Sequence, residues 1–279
     1  MTICIAAVAR DESGDPIILS CADRLASSPL GSAETAMKIH PMACGWDIMG
    51  AGSEPDIIAL VELIRSKFRG TDTHDKNFDE DVALKKVRAA LLERKHQKAD
   101  DIITSRYGIS YDELRKTGAK EFPPDIFREA MWEVRDCPVD ADLIVYGFTG
   151  YGQATIIESS GGKAHISEPF AIIGSGAYLA QSVMMHRAYA ELMEIDKAAY
   201  VIWEAKKYAE GVRSVGTDVT MLKSAPDGSR LMLRDAAKKW GDKQFRRFGP
   251  RPIGEKTTFQ LPEDAWLELM SKANPPRND

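Results

Sequence analysis

The order of the apolar segments is the strongest constraint on how this chain can fold. Short alternating runs come first, at Thr2 to Arg10, Ile17 to Ala22, Met37 to His40 and Trp46 to Ala51. The acidic turn Asp11 to Pro16 makes a hairpin of the first two. Helical spacing follows. Ser53 caps a helix that buries Ile57, Val61, Ile64 and Phe68. A charged helical pattern then runs from Asp79 to about Ser105, breakers fall in Tyr107 to Pro124, and helix resumes from Asp125 to Arg135. Strand patterns return at Asp142 to Phe148 and Gln153 to Glu158, joined by the turn Thr149 to Gly152, and a meander leads on to Phe170 to Ile173. Gly174-Ser175-Gly176 opens a helix through about Leu192, and another runs from about Lys197 to Gly211. A last hairpin pairs Asp218 to Lys223 with Ser229 to Leu233. Runs of strands alternating with runs of helices predict an α+β fold, a sandwich of antiparallel sheets covered by helices, and exclude βαβ winding.

Composition narrows the function classes. With 279 residues, 44% of them hydrophobic, the chain can bury one large core plus an appended part. A net charge of -5 opposes general nucleic-acid or anionic-membrane binding, which requires a positive field. No apolar run reaches the length of a bilayer span, and the N-terminus lacks a basic start followed by a long apolar stretch, so the chain reads as soluble and cytoplasmic. Cys4, Cys21, Cys44 and Cys137 are scattered without CxxC pairing. The five histidines lack ligand spacing, which makes His40, His165 and His186 surface or packing residues and leaves no expected metal or cofactor.

Thr2 is the candidate for chemistry. If Met1 is removed, Thr2 carries a hydroxyl and a free α-amine, a nucleophile and its base on one residue. The α-amine has an ordinary pKa of about 8, and a nearby cation would hold it neutral. Lys38 can supply that cation, Asp23 at the end of the second strand can position the lysine, and Gly52 at a strand-to-helix turn can offer an oxyanion donor. Ser175 can relay protons to the amine. Each residue also has an ordinary reading: Thr2 follows a start codon, Asp23 caps a turn, Lys38 is a solvated strand charge, and Gly174-Ser175-Gly176 is a plain helix entry.

These segments, in this order, resemble the proteasome β-subunit and the HslV-type peptidases of the N-terminal nucleophile hydrolases. The resemblance rests on Thr2, Ala22-Asp23-Arg24, Met37-Lys38-Ile39, Ala51-Gly52, Tyr146-Gly147-Phe148, Ile156-Ile157-Glu158 and Gly174-Ser175-Gly176, over residues 2 to 70 and 141 to 225. It implies a four-layer αββα sandwich. Thr2 would be nucleophile and base, Lys38 would tune the amine, Asp23 would hold the lysine, Gly52 would donate to the oxyanion and Ser175 would relay protons. The family's later Asp and Ser match poorly, with Glu210, Ser214 and Asp218 as stand-ins. The resemblance implies a threonine-type endopeptidase acting on peptides or unfolded proteins inside a homo-oligomeric ring, with an ATP-dependent unfoldase as partner. A scaffold of this fold without turnover and an amidase acting on a small amide are the alternatives. Residues 1–235 would form the hydrolase domain, with a helical insert over about 71–140. Residues 236–279 would form an appended extension, carrying a basic cluster from Lys238 to Arg251 and a short amphipathic helix at Glu263 to Lys272.

Overall fold

The first strand, β1 (Cys4–Arg10), is buried almost throughout, and its alternate residues enter different cores. Ile5, Ala7 and Ala9 pack into one apolar cluster with helices, while Cys4, Ala6 and Val8 pack into another shared with a second sheet. A strand apolar on both faces needs cover on both faces, and this one dictates the layering. The computed structural model describes residues 2–28, 31–34, 37–42, 45–135, 138–249 and 257–268. The thiols of Cys44 and Cys137 lie outside them.

β2 (Pro16–Asp23) pairs with β1 and repeats its division, with Ile17, Leu19 and Cys21 toward the helices and Ile18 and Ala22 toward the second sheet. A small ribbon of β3 (Ala26–Ser28) and β4 (Gly31–Ala33) follows, then β5 (Ile39–Pro41) and β6 (Asp47–Gly52). Four helices come next: α1 (Glu54–Phe68), α2 (Glu80–Tyr107), α3 (Tyr111–Glu121) and α4 (Pro124–Arg135). β7 (Ala141–Phe148), β8 (Ala154–Ser160), β9 (Lys163–Ile166) and β10 (Phe170–Ile173) lead to α5 (Ala177–His186) and α6 (Ile195–Ala209). β11 (Val219–Ser224), β12 (Arg230–Leu233), α7 (Asp235–Phe248) and β13 (Trp266–Glu268) complete the order.

Among the described residues the two main sheets are antiparallel: six strands in the order β10-β1-β2-β11-β12-β13, and five in the order β5-β6-β7-β8-β9. Helices α5 and α6 cover the outer face of the first, and α1 and α2 cover the second. The result is the αββα sandwich of the α+β class that the segment order predicts. Polar contacts bridge the two sheets as well. The Tyr146 hydroxyl donates to Ser20 Oγ at 2.7 Å, and Arg230 meets the buried Asp47 carboxylate at 3.0 Å. Burial pushes the Asp47 carboxyl up to about 6, against the pull of Arg230 and Ser224. No described helix is long and apolar enough to cross a membrane.

Two segments differ from their sequence reading. The breaker-rich stretch Tyr107 to Pro124 contains α3, because the Ser110 side chain accepts from Glu113 N at 3.1 Å and caps a new helix start. Strand β13 occupies Trp266–Glu268, inside the stretch expected to be helical from Glu263 to Lys272, because its backbone completes the free edge of β12. Residues 269–272 lie outside the described ones, as does Arg251 of the basic cluster. Described residues after 235 pack on the main core. Phe259 stacks on the buried Tyr200 at a ring-centroid distance of 4.6 Å, Gly241 lets α7 close on Trp203, and Ala237 and Ala265 are buried.

Replacing Phe259 by Ala is therefore expected to destabilise the protein by about 3–5 kcal/mol, the usual range for emptying a buried aromatic site. The shift in urea midpoint at constant slope measures it, and a loss below about 1 kcal/mol would make the tail a detachable attachment.

Candidate active site

Asp23 closes β2 opposite Ile3, and its carboxylate is completely buried. One oxygen, Oδ1, accepts from Ile3 N at 2.9 Å, from Lys38 Nζ at 2.7 Å and from the hydroxyl of Thr2. The other, Oδ2, accepts from Gly216 N at 2.9 Å and Leu25 N at 3.3 Å. Burial alone would raise the Asp23 carboxyl. The hydrogen bonds from Lys38, Thr2, Ile3 and Gly216 outweigh it and hold the group below its ordinary value. Lys38 Nζ donates to Thr2 Oγ1 as well, so the Thr2 hydroxyl sits between an ammonium and a carboxylate. Thr2 is 4% exposed and the Lys38 side chain 12%, which leaves both largely out of bulk water.

The turn between β10 and α5 grips Thr2 from the other side. Gly174 adopts φ +99° against the Thr2 carbonyl, where a Cβ would collide with that oxygen. Gly176 N and Ser175 Oγ both approach the same carbonyl at 3.4 Å. Ser175 Oγ lies 3.0 Å from Ser214 Oγ, so two hydroxyls meet beside the threonine. Gly52 bends at φ +119° at the end of β6, with Asp140 O only 2.5 Å from where a Cβ would stand. A cleft of about 350 Å³ opens over these groups, lined by Thr2, Ala51, Gly52, Ser53, Asp140, Asp142, Gly174 and Ser175. Its Asp140 wall is tied to the helical block: Asp56 Oδ2 accepts from Asp140 N at 3.0 Å and from Lys98 at 2.9 Å, while Arg94 holds Oδ1 at 2.8 Å.

Thr2, Asp23, Lys38, Gly52, Ser175 and Ser214 thus come together. Asp218 and Glu210 do not. Asp218 pairs with Arg24 at 3.3 Å and Lys238 at 3.6 Å, and Glu210 pairs with the buried Lys206 at 2.5 Å. Arg24 and Lys238 hold the Asp218 carboxylate away from Asp23, and the same loop meets Asp23 through a backbone donor, Gly216 N. Sequence reading missed Gly216, Ile3 and Leu25, since an amide donor is independent of residue type. Only the glycine left a trace, because a Cβ on Gly216 would stand 2.7 Å from Leu25 Cβ. Burial pushes the Cys4 and Cys21 thiols up to about 12, which removes both as thiolate nucleophiles. No described cluster of His, Cys, Asp and Glu could hold a metal ion.

No protein-family model matches the chain, and no curated protein matches it. Among solved structures it is similar to Anbu (ancestral beta-subunit) from Yersinia bercovieri. The TM-score is 0.59 at 13% identity, over 92% of this chain and 100% of that one. It is also similar to the Anbu (Gly-1) mutant from Hyphomicrobium sp. strain MC1, with TM-score 0.56 and 14% identity over 91% of this chain and 100% of that one. This likeness shows a proteasome-like fold. It corrects the family expected from the motifs: the similar structures are Anbu proteins, proteasome-like in fold but distinct from the proteasome β-subunit and HslV-type peptidases. Motif order reports the shared fold and cannot separate families built on it.

The lowered Asp23 carboxyl carries a pH signature. Its folded-state value lies below the ordinary 3.8, so its stabilisation is fully present above that value and fades as pH falls through the folded one. Asp23→Asn, which strands Lys38 against a neutral amide, is expected to cost about 3–5 kcal/mol near pH 7. Thermal melts of both proteins from pH 7 to pH 3 should show this gap narrowing in acid, and a gap independent of pH would contradict the charge of the carboxylate.

Proposed function

We propose that this protein is a threonine-type N-terminal nucleophile hydrolase that cuts peptide bonds once Met1 has been removed. One observation carries the reading: the Thr2 hydroxyl is held between Lys38 and Asp23 at the floor of an open cleft. In the processed chain the α-amine takes the proton of the Thr2 hydroxyl, whose oxygen attacks the scissile carbonyl. The neighbouring ammonium of Lys38 disfavours a second positive charge and so favours the neutral amine. The Gly52 turn faces the cleft where the oxyanion develops, and the Ser175–Ser214 hydroxyl pair is available to pass the proton to the leaving amine. An acyl ester on Thr2 forms as the amine product leaves; water then gives a proton to the free amine, adds to the ester carbonyl and releases the acid, and the proton returns to the Thr2 oxygen.

The substrate is a peptide or unfolded protein, and the assembly that best protects folded proteins from such a centre is a homo-oligomeric ring fed by an ATP-dependent unfoldase. Residues 1–235 are the catalytic unit in this reading, with the helical block over about 71–140 buttressing the cleft and residues 236–279 an appended extension. One observation favours a second reading, a scaffold of the same fold without turnover: neither Glu210 nor Asp218 supplies a late carboxylate to the centre.

Thr2→Ala is expected to lower turnover of short fluorogenic peptides by about 10³-fold or more, with the assembly unchanged by gel filtration. The intact mass of the purified protein separates the two readings, since retained Met1 blocks the amine and leaves only the scaffold.

A further inference from the structure

Glu34 had no role in the sequence reading, yet it makes the densest set of contacts on the loop that feeds the Thr2 centre. Its Oε1 accepts from Thr217 N at 2.7 Å and Thr217 Oγ1 at 3.0 Å, and its Oε2 accepts from Asp218 N at 2.5 Å. Two consecutive amides and a hydroxyl converging on one carboxylate form an anion cradle. From the opposite side the buried Lys206 donates to Thr217 O at 2.6 Å and is itself paired with Glu210. Thr217 is therefore held at its amide, its hydroxyl and its carbonyl.

What is held matters because of its neighbours. Gly216, one residue upstream, donates to Asp23 Oδ2, and Ser214, three residues upstream, meets Ser175. At the other end, Glu34 lies four residues before Lys38, whose ammonium donates to Asp23 Oδ1 and Thr2 Oγ1. Hydrogen bonds thus tie Lys38 to Asp23, Glu34 to Thr217 and Asp218, and Gly216 to Asp23, while the covalent chain joins Glu34 to Lys38 four residues on and Gly216 to Thr217. Gly216 fits there because it has no side chain: a Cβ would stand 3.2 Å from Glu34 Oε1 as well as against Leu25.

We infer that Glu34 is a positioning residue, clasping the Gly216–Asp218 backbone so that Lys38 and the Ser214–Gly216 loop meet Asp23 and Thr2 in one fixed register. The inference rests on the hydrolase reading for its kinetic readout, but not for its structural one. Because misplacement by about 1 Å can lower turnover by about 100-fold, Glu34→Ala is expected to reduce kcat by roughly that factor with KM within about twofold of wild type. Glu34→Gln keeps an acceptor for Thr217 and loses the one for Asp218 N, so its kcat should fall between the two.

Hydrogen exchange of the 211–218 segment, followed by mass spectrometry on the full-length assembled protein, supplies the second measurement. Both variants should exchange faster there, while exchange over β7 and β8 stays at the wild-type rate. If the wild-type protein proves inactive on peptides but the segment still loses protection, the hydrolase reading fails and the clasp stands. Wild-type protection at 211–218 in both variants, or a kcat in Glu34→Gln equal to wild type in an active protein, would overturn the clasp. Should Glu34→Ala not fold, Glu34→Gln and Thr217→Val, which removes the hydroxyl alone, decide the matter by the same two readouts.

Discussion

A carboxylate sealed from water organises this molecule. Asp23 has no exposed surface, and a buried ionised group without partners is destabilising by several kcal/mol. Its donors must therefore converge, and they come from four separate stretches: the start of β1, the end of β2, the segment before β5 and the loop before β11. Satisfying one charge draws these stretches to one end of the sandwich. The Thr2 hydroxyl, a member of the same set, is fixed there as a consequence.

Elements outside this set also bear on the same region. Asp56 at the start of α1 is buried, and its carboxyl is raised by burial but held below its ordinary value by Lys98 and Arg94 of α2 and by the Asp140 amide. Through it the long α2 braces the strip Gly52, Ser53 and Asp140 that walls the cleft, with Ser53 N donating to Asp140 O at 2.7 Å. The C-terminal segments act on the other helical layer. Their aromatic rings cover Tyr200 and Gly241 closes on Trp203, both of α6, the helix whose end carries Lys206 toward Thr217. Helical block and tail thus stiffen the two helical layers, by ion pairs in the first case and by apolar packing in the second.

Cleft electrostatics complement this stiffness. Asp140 and Asp142 line the opening, and neither side chain has an ion pair among the described residues. The cleft therefore holds two carboxylates in its lining, while Lys38 is committed to Asp23 and Thr2.

Much of this was legible in the order of residues. Period-two apolar runs and period-three-to-four runs report which faces must be covered, and in this chain their blocks leave little choice but stacked layers. Thr2, Lys38, Asp23, Gly52 and Ser175, which the fold brings together, could be picked out because the chemistry proposed for them depends on side-chain type or on a glycine's freedom to bend. The strand at Trp266–Glu268 was not legible, since an amphipathic stretch becomes a strand only when a free sheet edge waits beside it. The roles of Ile3, Leu25, Gly216, Glu34 and Asp218 were equally out of reach. The sequence by itself determined which chemical groups the protein owns and that its layers must stack. Only tertiary structure decided which backbone amides reach Asp23, which carboxylate clasps the loop and which turns away, because those choices are made by distance between segments remote in the chain.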